Sequence, residues 1–240
     1  MPRRVVWFSC GAASAVASLL TLQKYPDATL VYCDTMSSEH PDNARFLSDV
    51  ERWLGVQVTI ISSKTYSSVD DVFEKTRYMA GLKGARCTVE MKKLPRFNFQ
   101  RADDIHIFGY TCEEKQRAIW FEANNPELTL EWPLITAGIT KRRCYQTLQA
   151  AGIQLPAMYG LGFRNNNCIG CVKATSPRYW ALIRDNFPAV FARRMAQSDE
   201  LGVKLIILKG RRIFLSELPQ ADYSQLRLPN ISCGPECAPP

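Results

Sequence analysis

Along the first 62 residues, short apolar runs alternate with segments of helical spacing. Val5, Val6, Trp7 and Phe8 follow one another without a polar break, as in a strand buried on both faces. Ser9-Cys10-Gly11-Ala12-Ala13-Ser14, all small, comes next, and Val16, Leu19, Leu20 and Leu22 then predict a helix over 15–23. A second apolar strand, 29–33, ends at Asp34-Thr35. Phe46, Val50 and Trp53 predict a helix over 41–54, and 56–61 reads as a third strand. Strand, helix, strand, helix, strand argues an α/β fold with a parallel sheet wrapped by helices. Farther on, 104–109 reads as a strand, 113–123 and 140–151 as helices, and 179–197 as a helix interrupted at Pro188. Residues 203–208 and 212–215, joined through Gly210, resemble a hairpin. The proline-containing tail from Pro219 is expected to wrap the surface.

Composition sharpens this picture in two ways. The 240 residues suffice for one large domain, or for one with a small appendage. No apolar run is long enough to span a bilayer, and the N-terminal run is too short for a signal-peptide core. The expectation is a cytoplasmic protein without membrane association, in which nine cysteines point to metal binding or redox chemistry rather than crosslinks. The net charge of +7 is also unevenly placed. Residues 77–101 hold Arg77, Lys83, Arg86, Lys92, Lys93, Arg96 and Arg101 against the single acid Glu90. Such density favours an anionic partner, from nucleotide phosphate to nucleic acid, over a merely solvated loop. Smaller clusters are Lys141-Arg142-Arg143, Arg193-Arg194 and Lys209 to Arg212.

The small residues between the first strand and helix suit a phosphate, because backbone N–H groups can approach it and the helix N-terminus adds a favourable partial charge. The G-x-x-x-x-G-K-[ST] and G-x-G-x-x-G loops are absent; what stands there is Ser9-x-Gly11-x-x-Ser14. Asp34, at the carboxyl end of the second strand, could meet a ribose, an adenine amino group or a metal ion, or could simply cap a turn.

These residues resemble the adenine nucleotide alpha hydrolase (PP-loop ATP pyrophosphatase) superfamily, and especially its phosphoadenosine phosphosulfate (PAPS) reductase branch. Residues 9–14 look like its pyrophosphate loop. Asp34-Thr35 with Glu39-His40-Pro41, Arg86-Cys87-Thr88 with Lys92 and Pro95, and Gly109 with Glu113, Glu114 and Arg117 resemble its later segments in order. Pro133-Leu134, then Gly152-Ile153, Pro156, Tyr159 and Gly162, lead to Cys168-Ile169-Gly170-Cys171 in a similar way. The resemblance implies a Rossmann-like parallel-sheet core over 1–135 and a cysteine-bearing C-terminal region of helix and loop over 136–240. It implies a site for ATP or another adenine nucleotide, with magnesium as its companion, formed by Ser9, Cys10, Gly11, Ala12, Ala13, Ser14, Asp34, Thr35 and Gly109.

Cys168-x-x-Cys171 is a tight chelating pair, and a four-cysteine site needs two more ligands. Cys87, in a matching family position, and Cys144, 24 residues before Cys168, are the candidates taken here. The resemblance implies a 4Fe–4S cluster on Cys87, Cys144, Cys168 and Cys171, whereas spacing alone equally permits zinc. Cys33 and Cys112 read as packing. Cys10, at a helix N-terminus, could carry a lowered thiol pKa. Cys233 and Cys237 lie on a tail suited to carrying a reactive thiol. His106 reads as structural, and Asn165-Asn166-Asn167 as a turn-forming run.

The leading expectation is an ATP-dependent sulfurtransferase acting on tRNA or DNA through residues 77–101, supplied by a sulfur donor protein, with Arg117 or Lys92 on developing negative charge. The alternatives are a reductase of an adenylylated sulfate with Cys233 as nucleophile, or a non-catalytic accessory protein that binds nucleotide or nucleic acid.

Overall fold

The apolar run of β1 (Arg4–Phe8) does not alternate because the strand lies at the centre of a five-stranded sheet, covered on both faces. The description is of a computed structural model covering residues 2–81, 84–228, 231 and 233. α1 (Ala12–Lys24), β2 (Thr29–Cys33), α2 (Asp42–Leu54) and β3 (Thr59–Ile61) build one half of the sheet. After α3 (Val69–Thr76) and a small hairpin of β4 (Ala80–Gly81) and β5 (Gly84–Ala85), a helical run follows. It comprises α4 (Arg86–Thr88), a π turn over Val89–Lys93 and α5 (Leu94–Phe99). The chain then returns as β6 (Ile105–Phe108), α6 (Lys115–Ala123) and β7 (Thr129–Glu131). The strand order is β3-β2-β1-β6-β7, all parallel, with Val6 opposite Leu30 and Ile107. The order reverses between β1 and β6, and their carboxyl ends open the crevice where such sheets take ligands.

α7 (Pro133–Thr136) and α8 (Lys141–Ala150) join α1 and α2 on one face of the sheet. There Phe46, Val50, Leu134 and Leu148 are buried. α6 and the end of α5 cover the other face, packing Phe99, Ala118 and Phe121 against Trp7 and Phe108. A separate core lies under α3, α10 (Pro177–Asn186) and α11 (Pro188–Glu200), after the single turn α9 (Ala157–Gly160). It also takes in the hairpin of β8 (Ile206–Leu208) and β9 (Arg211–Ile213). Two of these three cores draw on both sides of residue 135: α8 packs on α1, and α3 packs with the C-terminal helices.

Three departures from the expected elements have local causes. α1 begins at Ala12 rather than Ala15, because Gly11 takes the N-cap and the small loop residues form its first turn. β3 begins at Thr59 rather than Val56. Left-handed Gly55 closes α2, and the N–H groups of Val56 and Val58 bond Glu51 instead of a strand. The helical run over 86–99 is hidden in the sequence by Pro95, which cannot donate a helix hydrogen bond. The π turn ahead of it, with the Leu94 N–H on the Val89 carbonyl, places that proline in the first turn of α5. The break at Pro188 falls where expected, between α10 and α11. No helix among the described residues is long and apolar enough to cross a membrane.

Candidate functional site

A cleft of about 810 Å³ opens at the carboxyl ends of β1 and β6. Its floor is the 9–14 loop, which the chain holds by its own hydroxyls. Ser14 Oγ accepts from the backbone N–H groups of Ser9 (3.1 Å) and Gly11 (3.3 Å), lies 3.2 Å from Ser9 Oγ, and donates to the Gly11 carbonyl. Cys10 is turned into the left-handed region (φ 51°), so the loop reverses sharply before α1. Gly109 follows β6 against this turn. A Cβ there would stand 2.7 Å from Ser14 Cα and 2.8 Å from Ser14 N, so only glycine lets the strand end approach the helix start. Tyr159 covers the loop from the other side, its hydroxyl accepting from Ala12 N–H at 3.4 Å.

The expected nucleotide residues are thus partly gathered. Ser9, Gly11, Ala13, Ser14 and Gly109 line the cleft, together with Lys92, Arg117 and Cys233. Arg117 donates to Glu114 at 2.8 Å and lies 4.0 Å from the Tyr110 ring centroid. Cys10 and Ala12 are buried within the loop. Asp34 and Thr35 stand outside the cleft lining: Asp34 accepts from Met36 N–H in a local turn, and Thr35 donates to Glu39.

Glu39 is a buried carboxylate at the centre of a polar chain. It accepts from Thr35 Oγ1 (2.5 Å) and Asn43 Nδ2 (2.6 Å). Asn166 Nδ2 in turn reaches Asn43 Oδ1 (2.8 Å) and the Cys10 carbonyl (2.6 Å). Burial and Glu39 together raise the Cys10 thiol pKa, overriding the lowering expected from its place at a helix N-terminus.

Four thiols come together beside this cleft. Cys87, Cys168 and Cys171 are buried in one core and Cys233 packs against it. The Cys171 S–H donates to the Cys233 sulfur, and Lys92, Lys173 and the Thr88 hydroxyl add to the effect. Together they hold the Cys233 thiol well below its ordinary pKa, while Cys171 moves well above. Burial, helped by the charge of Cys233, pushes Cys87 up to about 12. The CxxC turn is clamped from below. Tyr179 Oη accepts from Cys171 N–H at 2.8 Å, Ile169 N–H reaches the Ser38 carbonyl, and buried Arg194 binds the Gly170 carbonyl while pairing with Asp70.

Cys144 does not belong to this group. It is fully buried on α8 in the core under α1, where burial raises its pKa to about 12. The fourth thiol beside Cys87, Cys168 and Cys171 is Cys233. Cys237 and Lys83 lie outside the described residues. Among the described residues, no three His, Cys, Asp or Glu side chains stand in a preformed metal cage.

The basic segment divides between the interior and the surface. Lys92, Lys93 and Arg96 are 8%, 6% and 2% exposed, Arg86 pairs with Glu90, and Arg77 with Glu200. Lys92 Nζ donates to the Cys233 carbonyl at 2.8 Å. Burial alone would lower its pKa, but Cys233, Cys168 and Glu39 together hold it well above the ordinary value. Within this stretch Lys92 faces the thiols and the cleft, whereas Arg77, Arg86 and Arg101 are exposed.

Sequence reasoning passed over several cleft residues. Lys141 donates to the Arg164 carbonyl and Asn165 Oδ1, and burial lowers its pKa to about 8. Its signal was the Lys141-Arg142-Arg143 cluster. Asn165 and Asn167 both donate to the Ile231 carbonyl, at 3.3 and 3.2 Å, and so seat the tail that carries Cys233. The asparagine run thus alternates, with Asn166 on the 9–14 loop and its neighbours on the tail. His106 is structural, accepting from Trp7 Nε1 at 3.0 Å, and burial lowers its pKa to about 4.

A parallel sheet with a tight loop-to-helix turn at its reversal point defines an α/β fold with an adenine nucleotide alpha hydrolase-like core. Within it, residues 3–177 match the phosphoadenosine phosphosulfate reductase domain, and the chain belongs to that family. Among solved structures it is similar to the phosphoadenylyl-sulfate (PAPS) reductase of Candida auris, solved as a phosphate complex. The TM-score is 0.50 at 11% identity, covering 70% of this chain and 82% of that one, a likeness of fold. No curated protein sequence matches the chain at a significant level.

Proposed function

We propose that the protein is an enzyme of sulfur chemistry that binds an adenine nucleotide with its phosphates on the 9–14 loop and works on it with Cys233. The observation carrying this reading is that the loop, Lys92 and Cys233 line one cleft. The burial of Lys92, Lys93 and Arg96 favours a small substrate over a nucleic acid, and hence reduction of an adenylylated sulfate. The Cys233 thiolate would attack the sulfur; the bond from sulfur to the phosphate oxygen breaks, and the nucleotide leaves with that electron pair. Lys92 and Arg117 would offset the charge developing on the phosphate. Attack of Cys171 on the Cys233 sulfur would then release sulfite and leave a Cys171–Cys233 disulfide, which a dithiol must reduce.

A second reading is supported by the donor set. Four thiols from three stretches of chain, offset by Lys92, Lys173 and Arg194, are the ligands that a 4Fe–4S cluster or zinc takes. Cys87, Cys168, Cys171 and Cys233 would hold it, with Cys233 as the ligand nearest the nucleotide. An iron–sulfur cluster would supply electrons or sulfide to an ATP-dependent sulfurtransferase. Exposed Arg142, Arg143 and Arg164, near Lys141, would then meet a nucleic-acid acceptor.

Anaerobic purification with metal analysis separates the two. Metal-free protein that forms sulfite from an adenylylated sulfate and dithiothreitol, and loses this in Cys233→Ser, is the first enzyme. Brown protein that cleaves ATP to AMP and pyrophosphate in the presence of tRNA or DNA is the second. Neither activity, with retained nucleotide binding, would identify an accessory protein.

A further inference from the structure

A second cleft, of about 570 Å³, lies between the β4–β5 and β8–β9 hairpins and shares no lining residue with the first. Its charged lining groups are all cations: Lys173, Lys204 and Arg212. Among the described residues no carboxylate lines it and no ion pair engages Lys204 or Arg212. Arg212 Nη1 donates instead to the Lys204 carbonyl at 3.3 Å, which ties the guanidinium to the neighbouring segment. Lys204 and Arg212, like charges at one concavity, repel one another, and an anion between them relieves that repulsion. Gly84, with no atom within 4 Å of where a Cβ would stand, and Thr175 complete the lining with open backbone and a hydroxyl, the partners that oxyanion oxygens use.

We propose that this cleft is a binding site for a small oxyanion of sulfur or phosphorus, held by Lys173, Lys204 and Arg212. Among the described residues no aromatic side chain lines it, which argues against a single-stranded nucleic acid, whose bases would need a stacking surface. Its position gives the site a use. Ala85 and Val172 form part of its wall, two residues before Cys87 and one after Cys171. The charge of Lys173 acts on both Cys87 and Cys233. An oxyanion seated here lies behind the thiols, on a face separate from the nucleotide cleft. The inference does not depend on which reaction the nucleotide cleft performs.

Backbone amide NMR of the full chain, titrated with sodium sulfate and with sodium phosphate at ionic strength held constant by chloride, tests it. Amides of Gly84, Lys173 and Thr175 report on this cleft, and those of Gly11 and Ser14 on the phosphate loop. Saturable shifts are expected at the first group. In the Lys204→Gln/Arg212→Gln double variant the dissociation constant read there should rise at least about ten-fold, since two charge-assisted contacts are lost. The response of Gly11 and Ser14 should stay as in the parent. Both side chains are exposed, so the substitutions leave the packing intact. Shifts confined to the 9–14 loop, or equal affinity in the double variant, would overturn the proposal. So would a short single-stranded oligodeoxynucleotide that saturates the Gly84 shift at lower concentration than either ion, because the occupant would then be a polymer.

Discussion

The 9–14 loop and the thiol group border one cleft and are built in opposite ways. The loop is six consecutive residues whose own hydroxyls hold it, with Gly109 and Tyr159 closing it from outside. The thiols come from residues 87, 168, 171 and 233, and only packing brings them together: Arg194 under Gly170, Tyr179 under Cys171, Lys92 on the Cys233 carbonyl. A contiguous site tolerates change elsewhere in the chain. A dispersed site depends on every element that positions it.

The sharpest separation between the two regions is expected from Cys233→Ser. Sulfite formation or sulfur transfer should fall to background, while adenine nucleotide affinity by calorimetry stays that of the parent. Cys144→Ser should change neither. Gly109→Ala attacks the other region. Its methyl group would meet backbone atoms of Ser14 that cannot swing away, so denaturant unfolding should show a loss of about 3 kcal/mol, with nucleotide binding lost in parallel. Asn166→Ala tests whether the regions are joined. It leaves the buried Cys10 carbonyl without its side-chain donor, at a cost of about 2 kcal/mol, and should impair both nucleotide affinity and thiol placement. An effect on one alone would break the comparison.

The smallest effect expected is one of pH. Lys141 has its pKa lowered to about 8, so it loses its proton across the range in which an ordinary lysine keeps it. If its charge assists phosphate binding, affinity should weaken as pH rises through about 8, with the midpoint somewhat higher because the bound anion favours the charged form. Lys141→Gln should lower affinity at pH 7 and flatten this dependence.

The same contrast explains what could be read from the chain itself. β1, β2, α1 and α2 show in their apolar spacing, and the 9–14 loop in a run of small residues, because each is a local property. Cys168 and Cys171 show through their mutual spacing. The fourth thiol did not: nothing in the neighbourhood of Cys144 announces that α8 turns it into the core beneath α1, or that the distant tail returns Cys233 to Lys92. Counting charges over 77–101 does not separate buried from exposed cations, for a related reason. A lysine held beside thiols and a buried carboxylate has the same letter as one in water. β7 was missed because three residues, Thr-Leu-Glu, carry too little pattern.

The brevity of the outermost strands has a bearing on how the molecule behaves in a crowded solution. β3 and β7, at the two margins of the sheet, are three residues each. An unpaired margin is a template on which another extended chain can stack, and a long apolar one nucleates fibres. Here each margin offers only a few free backbone groups. On β7 Glu131 lies 3.9 Å from Arg4, placing charge beside that rim, while on β3 Ile60 is 53% exposed. If destabilised protein precipitates in ordered form, growth should therefore start from the β3 side, and a lysine in place of Ile60 should delay it.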